Sequence, residues 1–377
     1  MQDSGTQNLE PTSSHGILDT IQGAQTQSGI NNFEPSHLVD SLLGLLKERD
    51  QNIVKFRFGL NGNNIETLEA IGKRYNITRE RVRQIEKDSL KSLLKKKLPE
   101  LDTALQLIFD TMVEHGNVIA EEYLIQVLLL NQKDHDQEQA IRFLLSLGEQ
   151  FKFIKESNQY YDSWSVVGFN FEQLNTVIRQ FVEMLKAEGR VLKQNLLYEK
   201  FKVSEYYKAN QLALPKKVLD SYLNLSKQIQ INPYGETGLK DWAEVRPRDV
   251  GDKASLVLKH HGKPEHYSVI TDMINDHKFD GRTAFKETVH NELIKDSRFV
   301  LVGRGIYALS EWGYKKGVVA DVIKEILIAA NKPLRRDEII LEVMKRRQVK
   351  RNTILVGLSN KKLFQKQDKD RYTLVST

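Results

Sequence analysis

No cysteine occurs in the 377-residue chain. That absence excludes disulfide frameworks, thiolate zinc sites and cysteine nucleophiles together, and it predicts an intracellular protein. No stretch approaches the roughly 20 apolar residues of a membrane span. Even the apolar run from Val318 to Ala330 is broken by Asp321, Lys324 and Glu325. The opening segment is rich in Gln, Ser, Thr, Asn and Gly and has neither the basic start nor the apolar centre of a signal peptide. A soluble protein with a disordered tail over residues 1–34 is therefore expected.

Enzymatic constellations are missing as well. The nine histidines include His260, His261 and His266, but no spacing of carboxylates or cysteines around them completes a metal site. Gly303-Arg304-Gly305 is only a fragment of a dinucleotide fingerprint, and no phosphate-binding loop with Gly-Lys-Ser/Thr is present. His135-Asp136 lies in a polar stretch and reads as solvated. The expectation is a non-enzyme without cofactor, metal or small-molecule substrate.

What the chain does have is an uneven distribution of charge. Its total is +6, yet residues 73–97 hold ten basic and three acidic residues (+7), and residues 315–377 hold sixteen and seven (+9), which leaves −10 on everything else. Two segments that seek polyanions are thus set on an acidic scaffold.

The first basic segment reads as two helices with a tight break. Thr67 is placed to cap a helix over Leu68 to Tyr75, and Asn76 suits the left-handed turn that ends it. Thr78 can cap a second helix from Arg79, although Arg81 stands where a capping box would have an acid. At about 100° per residue, Arg79, Glu80, Arg83, Gln84 and Lys87 share an arc of about 140°, while Val82 and Ile85 fall opposite. Arg, Gln and Glu on the free face of such a helix match the donors and acceptors of base edges, the layout of a helix-turn-helix recognition helix.

The stretch from Thr67 to Glu86, above all Thr78-Arg-Glu-Arg-Val-Arg-Gln-Ile-Glu86, resembles region 4 of bacterial housekeeping RNA polymerase sigma factors, and Arg57-Phe-Gly-Leu60 matches the family's preceding helix. The resemblance covers about Pro35 to Leu98. It implies reading of an upstream promoter element and contact with the flap of the polymerase beta subunit. By residue it implies base contacts from Arg79, Glu80 and Gln84, and phosphate contacts from Thr67, Lys73, Arg81, Arg83 and Lys87. About 35 residues precede the matching stretch, so the regions with which a sigma factor melts promoters are expected to be missing.

After Pro99 the chain repeats short helices followed by a β-hairpin at a spacing of about 65–80 residues, which predicts tandem winged helices. Three hairpins are legible: Phe151–Ile154 returning at Tyr160-Tyr161, Arg298–Val302 returning at Ile306–Leu309, and Leu363–Gln365 returning at Tyr372–Leu374. A fourth, less regular one spans Ile229 to Leu239. The three tryptophans, Trp164, Trp242 and Trp312, are expected just after hairpins. Val250 to Tyr314, with its wing Gly303-Arg-Gly-Ile-Tyr-Ala-Leu309, resembles a HARE-type winged helix, as found in the delta subunit of Gram-positive RNA polymerase. The last repeat carries Arg346, Arg347, Lys350 and Arg351 at its recognition position, which predicts a second nucleic-acid contact, mainly to phosphates.

The expected fold is mainly α with small β-hairpin wings, in tandem helix-turn-helix and winged-helix domains. The expected division is a tail (1–34), a sigma region 4-like unit (35–98), a winged-helix-like unit (99–170), a divergent one (171–248), a HARE-type one (249–314) and a basic one (315–377). The expected function is a cytoplasmic, nucleoid-associated, sigma-like transcription factor that binds promoter-like double-stranded DNA or RNA polymerase. A non-specific architectural nucleoid protein and a polymerase-binding adaptor are the alternatives.

Overall fold

The structure, a computed structural model, describes residues 26–314, 319–346, 349, 351–368 and 370–375. It divides into two compact units, Met1–Arg190 with Gln194–Gln230, and Val191–Lys193 with Ile231–Thr377. Helices dominate, accompanied by small three-stranded antiparallel sheets. This is the mainly α architecture with small wings that the hairpin periodicity predicts.

In the first unit, residues 26–31 are helical, and helices Pro35–Leu43, Glu48–Phe58, Leu68–Tyr75 and Arg79–Lys95 follow. The expected tail is corrected at its end: Ile30 is buried, and it anchors this polar stretch in the core beside the half-buried Phe33. Residues 1–25 lie outside the described residues.

Helix Pro99–Glu114 then leads to strand β1 (Val118–Ala120), helices Glu121–Leu128 and His135–Leu147, and the hairpin of β2 (Phe151–Ile154) and β3 (Ser163–Val166). The sheet order is β1-β3-β2. The return strand lies later than Tyr160-Tyr161, because those tyrosines have other partners. Tyr160 bridges Ser226, and the Tyr161 N–H donates to the Leu225 carbonyl at 3.1 Å. Trp164 is accordingly inside the return strand, opposite Phe153, and not after the hairpin. Helices Glu172–Glu188, Gln194–Lys202, Glu205–Asn210 and Lys216–Leu225 complete this unit.

Between Arg190 and Leu239 the chain forms β4 (Leu192–Lys193), β5 (Ile229–Ile231) and β6 (Glu236–Leu239). β4 pairs with β6, Leu192 opposite Thr237. The turn before β6 closes where the Asn232 N–H donates to the Glu236 carbonyl at 2.8 Å.

The second unit continues with helix Val250–His261, β7 (Glu265–His266), helices Tyr267–His277 and Lys286–Lys295, and the hairpin β8 (Phe299–Gly303) and β9 (Ile306–Leu309). The same order recurs in helix Val319–Ala330, β10 (Leu334–Arg335), helices Arg336–Arg346 and Arg351–Leu358, and hairpin β11 (Phe364–Lys366) and β12 (Arg371–Leu374). The sheets read β7-β9-β8 and β10-β12-β11, the order of the first winged helix. Each hairpin is thus backed by one short strand from between the first two helices. Each closes on its own core, around Val257, Ile270, Val289 and Tyr307 in one and Ile323, Ile339, Ile354 and Phe364 in the other.

Among the described residues no helix is long and apolar enough to cross a membrane.

Candidate nucleic-acid interface

Local chemistry fixes the two helices of the motif. The Thr67 hydroxyl accepts from the Ala70 N–H at 3.2 Å and the Thr78 hydroxyl from the Arg81 N–H at 3.1 Å, so both helices start where orphan amides find a side-chain oxygen. Asn76 ends the first helix in the left-handed region, with φ 54°. The turn is then closed by the Ile77 N–H donating to the Gly72 carbonyl at 2.9 Å. A Cβ on Gly72 would stand 2.7 Å from the Ile77 carbonyl oxygen. Glycine at this position lets the first helix approach the turn that aims the second.

The second helix runs 17 residues, from Arg79 to Lys95, about 25 Å at 1.5 Å per residue. It packs through Val82 and Ile85 against Ile53 and Ile71, with Phe56, Leu68, Tyr75 and Ile77 around them. Arg79, Glu80, Arg81, Arg83, Gln84 and Lys87 are all exposed, as are Thr67 and Lys73 on the first helix and its cap. All eight residues singled out from the sequence therefore belong to one continuous helix-turn-helix.

Several of them are held by neighbours. Arg83 and Glu80 form a forked pair at 2.5 and 2.9 Å, which lowers the Glu80 carboxyl from its usual range, chiefly through that hydrogen bond. Arg81 donates to the Gln84 side-chain oxygen at 3.3 Å. Lys73 pairs with Glu69 at 3.0 Å and lowers the Glu69 carboxyl in the same way. Exposed pairs of this kind are weak and readily exchanged for phosphate oxygens. Arg79 and Lys87 form no ion pair among the described residues.

Three features were not singled out from the sequence. Arg57 pairs with Glu86 at 3.2 Å, tying the preceding helix to the middle of the second helix of the motif. Arg74 lies 4.2 Å above the Phe56 ring and pairs with Glu66. Lys91 and Lys95 continue the exposed Arg79–Arg83–Lys87 row at four-residue spacing, and that spacing was the available signal.

In the second unit, Arg346 is exposed at the end of its helix. Arg351 opens the next one, 2.7 Å from Asp337. Arg347 and Lys350 lie outside the described residues. Among the described residues no group of three or more His, Cys, Asp or Glu could hold a metal ion.

Residues 42–95 match the family described as Sigma-70, region 4. The RNA polymerase sigma factor SigA of Lactococcus lactis subsp. cremoris is 42% identical over 55 residues, which is 15% of this chain and 15% of that protein. RNA polymerase sigma factor RpoS of Coxiella burnetii is 43% identical over 72 residues, covering 17% of this chain and 20% of that one. RNA polymerase principal sigma factor HrdD of Streptomyces viridifaciens is 34% identical over 79 residues, covering 21% and 24%. The chain thus spans less than a quarter of the length of these relatives. Within that span, the capped, glycine-hinged pair of helices with its exposed arginines is a sigma region 4-like helix-turn-helix.

Proposed function

We propose that this protein is a sequence-specific, sigma-like DNA-binding transcription factor that acts at promoter DNA, at RNA polymerase, or at both. One observation carries the reading. The helix that buries Val82 and Ile85 presents Arg79, Glu80, Gln84 and Arg83 together on its free face. In this reading Arg79, Glu80 and Gln84 contact base edges, while Thr67, Lys73, Arg81, Arg83 and Lys87 hold phosphates and set the register. Arg346, Arg347, Lys350 and Arg351 add phosphate contacts of low sequence preference from the last winged helix. Residues 249–314 are read as a HARE-type winged helix. The beta flap is the polymerase surface assigned to the region 4-like part, and the cytoplasmic nucleoid is the place of action. The role is non-enzymatic.

The test is affinity purification from the native host under DNase, followed by gel shift of the purified chain at low salt. Retention of RNA polymerase together with a shifted duplex supports the reading. Polymerase retention without any shift identifies an adaptor. Shifts of equal affinity on all sequences, with no polymerase retained, identify an architectural protein.

A further inference from the structure

In a three-helix DNA-binding fold the third helix is the one offered to the groove. The winged helices of this chain treat that helix in two different ways. Helix Lys286–Lys295 buries only Val289 and Leu293, and helix Arg351–Leu358 buries only Ile354 and Leu358. Each packs by one edge and leaves the other faces to solvent.

Helix His135–Leu147 instead buries Gln139, Ala140, Ile141, Phe143, Leu144, Leu145 and Leu147. Those positions span about 240° of the helix at 100° per residue, wider than the single stripe of a helix packed on one side only. The cover is the region 4-like part. Phe143 meets Phe58 edge-on with centroids 5.1 Å apart, and both join one core with Val39, Leu42, Leu43 and Leu60. Polar contacts fix the joint at its N-terminal end. The Ser36 N–H donates to the Gln137 side-chain oxygen at 2.9 Å, and the Gly62 N–H to the Asp136 carboxylate at 2.8 Å.

The divergent repeat shows the same device. The helix before its hairpin, Lys216–Leu225, which follows an extra short helix Glu205–Asn210, buries Val218, Leu219, Ser221, Tyr222, Leu223 and Leu225. The Ser221 hydroxyl donates to the Val118 carbonyl of β1 at 2.8 Å, and Lys217 pairs with Glu114 at 2.5 Å. Gly116 has φ +85°, and a Cβ there would stand 2.8 Å from a Val218 methyl, so the seam is closed to the van der Waals limit.

Charge points the same way. The segment around the first of these helices carries Asp134, Asp136, Glu138 and Glu149. Its Arg142 is held by Glu121 and Glu122, each at 2.8 Å. Between Asp134 and Glu149 four carboxylates thus stand against one arginine that is already paired, which disfavours phosphate on this helix.

We infer that the first two winged helices do not read DNA: the helices that precede their hairpins are internal joints, and residues 26–190 with 194–230 form one mount that carries a single reading helix, Arg79–Lys95. The inference rests on the proposed DNA reading by Arg79–Lys95 for its functional half. Its structural half, the permanently covered helix His135–Leu147, stands by itself.

The test uses the full chain, whose lack of cysteine makes two introduced thiols unique. Ser36→Cys with Gln137→Cys is joined by a thiol-cleavable bis-maleimide, and duplex affinity is read before and after joining. The mount predicts affinities within about twofold. A loss of tenfold or more on joining, restored by cleaving the linker, overturns it, because the head would then have to leave the helix to bind. Hydrogen exchange of the unmodified chain is the second arm. The amides of Pro35–Leu43 and His135–Leu147 should open together and stay protected on saturation with duplex. Faster, independent exchange in His135–Leu147 contradicts the mount. If neither joined nor free chain binds any duplex, DNA reading by Arg79–Lys95 fails, and hydrogen exchange still decides the joint.

Discussion

Arg57 Nε stands 3.2 Å from Glu86 Oε2, both side chains partly buried, and this contact braces the helix that carries the candidate base-reading residues against the one before it. Removing either partner is expected to cost up to about 1 kcal/mol, as for ion pairs open to solvent. A double-mutant cycle of Arg57→Ala and Glu86→Ala, followed by urea denaturation, should show coupling of about 0.5 kcal/mol or more. Strictly additive losses would mean that the brace contributes nothing.

Gly72→Ala tests the hinge. The added methyl would lie 2.7 Å from a backbone oxygen that belongs to the turn itself, so relief requires the two helices to part. The expected cost is about 1–3 kcal/mol, with DNA affinity falling in parallel as the second helix is re-aimed. Thr78→Ala removes only the cap and should cost about 1 kcal/mol. A Gly72→Ala protein as stable as the parent would contradict the close approach.

These caps and the turn at Asn76 were legible because their signals are local, whereas the close approach at Gly72 was not read from the sequence. Thr67, Asn76 and Thr78 act on amides within four residues, and Val82 and Ile85 declare their face by spacing alone. The strands behind the wings were not legible. Glu265–His266 and Leu334–Arg335 are two residues long, too short for any alternation to register. β3 was displaced in the reading because Ser163-Trp164-Ser165 is buried on both faces, whereas Tyr160 and Tyr161, better strand formers, are claimed by the end of helix Lys216–Leu225. The joint on His135–Leu147 was hidden for a further reason: a helix covered by two partners reads in sequence like any amphipathic helix with a wide apolar face.

Phosphate and base contacts should separate under salt. Lys87→Ala is expected to weaken binding to all duplexes alike and to reduce the slope of log affinity against log salt by about one. Joint replacement of Lys345, Arg346 and Arg351 by Ala should act in the same sequence-blind way. A change of preferred sequence in either variant would contradict the assignment to phosphates.

His115 gives the first unit a pH dependence of definite sign. Its ring is 5% exposed, and its Nδ1–H donates to the Thr111 carbonyl at 2.7 Å. Burial, with a smaller contribution from Lys217, lowers its pKa below the ordinary 6.5. Below that pH the unfolded chain takes up a proton that the folded chain resists, so stability falls as pH drops below about 6.5. His115→Gln should flatten the decline in urea-midpoint stability between pH 7 and 5. An unchanged slope would place the titration elsewhere.

The most direct measurement is selection from a randomised duplex library by the full chain and by its Arg79→Ala, Gln84→Ala and Lys87→Ala variants. Reading by the Arg79–Lys95 helix predicts an enriched motif for the parent. It predicts loss of preference at individual base pairs, worth about 1–3 kcal/mol each, in the first two variants, and the parental motif with lower affinity in the third. No enriched motif, or the parental motif retained by Arg79→Ala and Gln84→Ala, would contradict it.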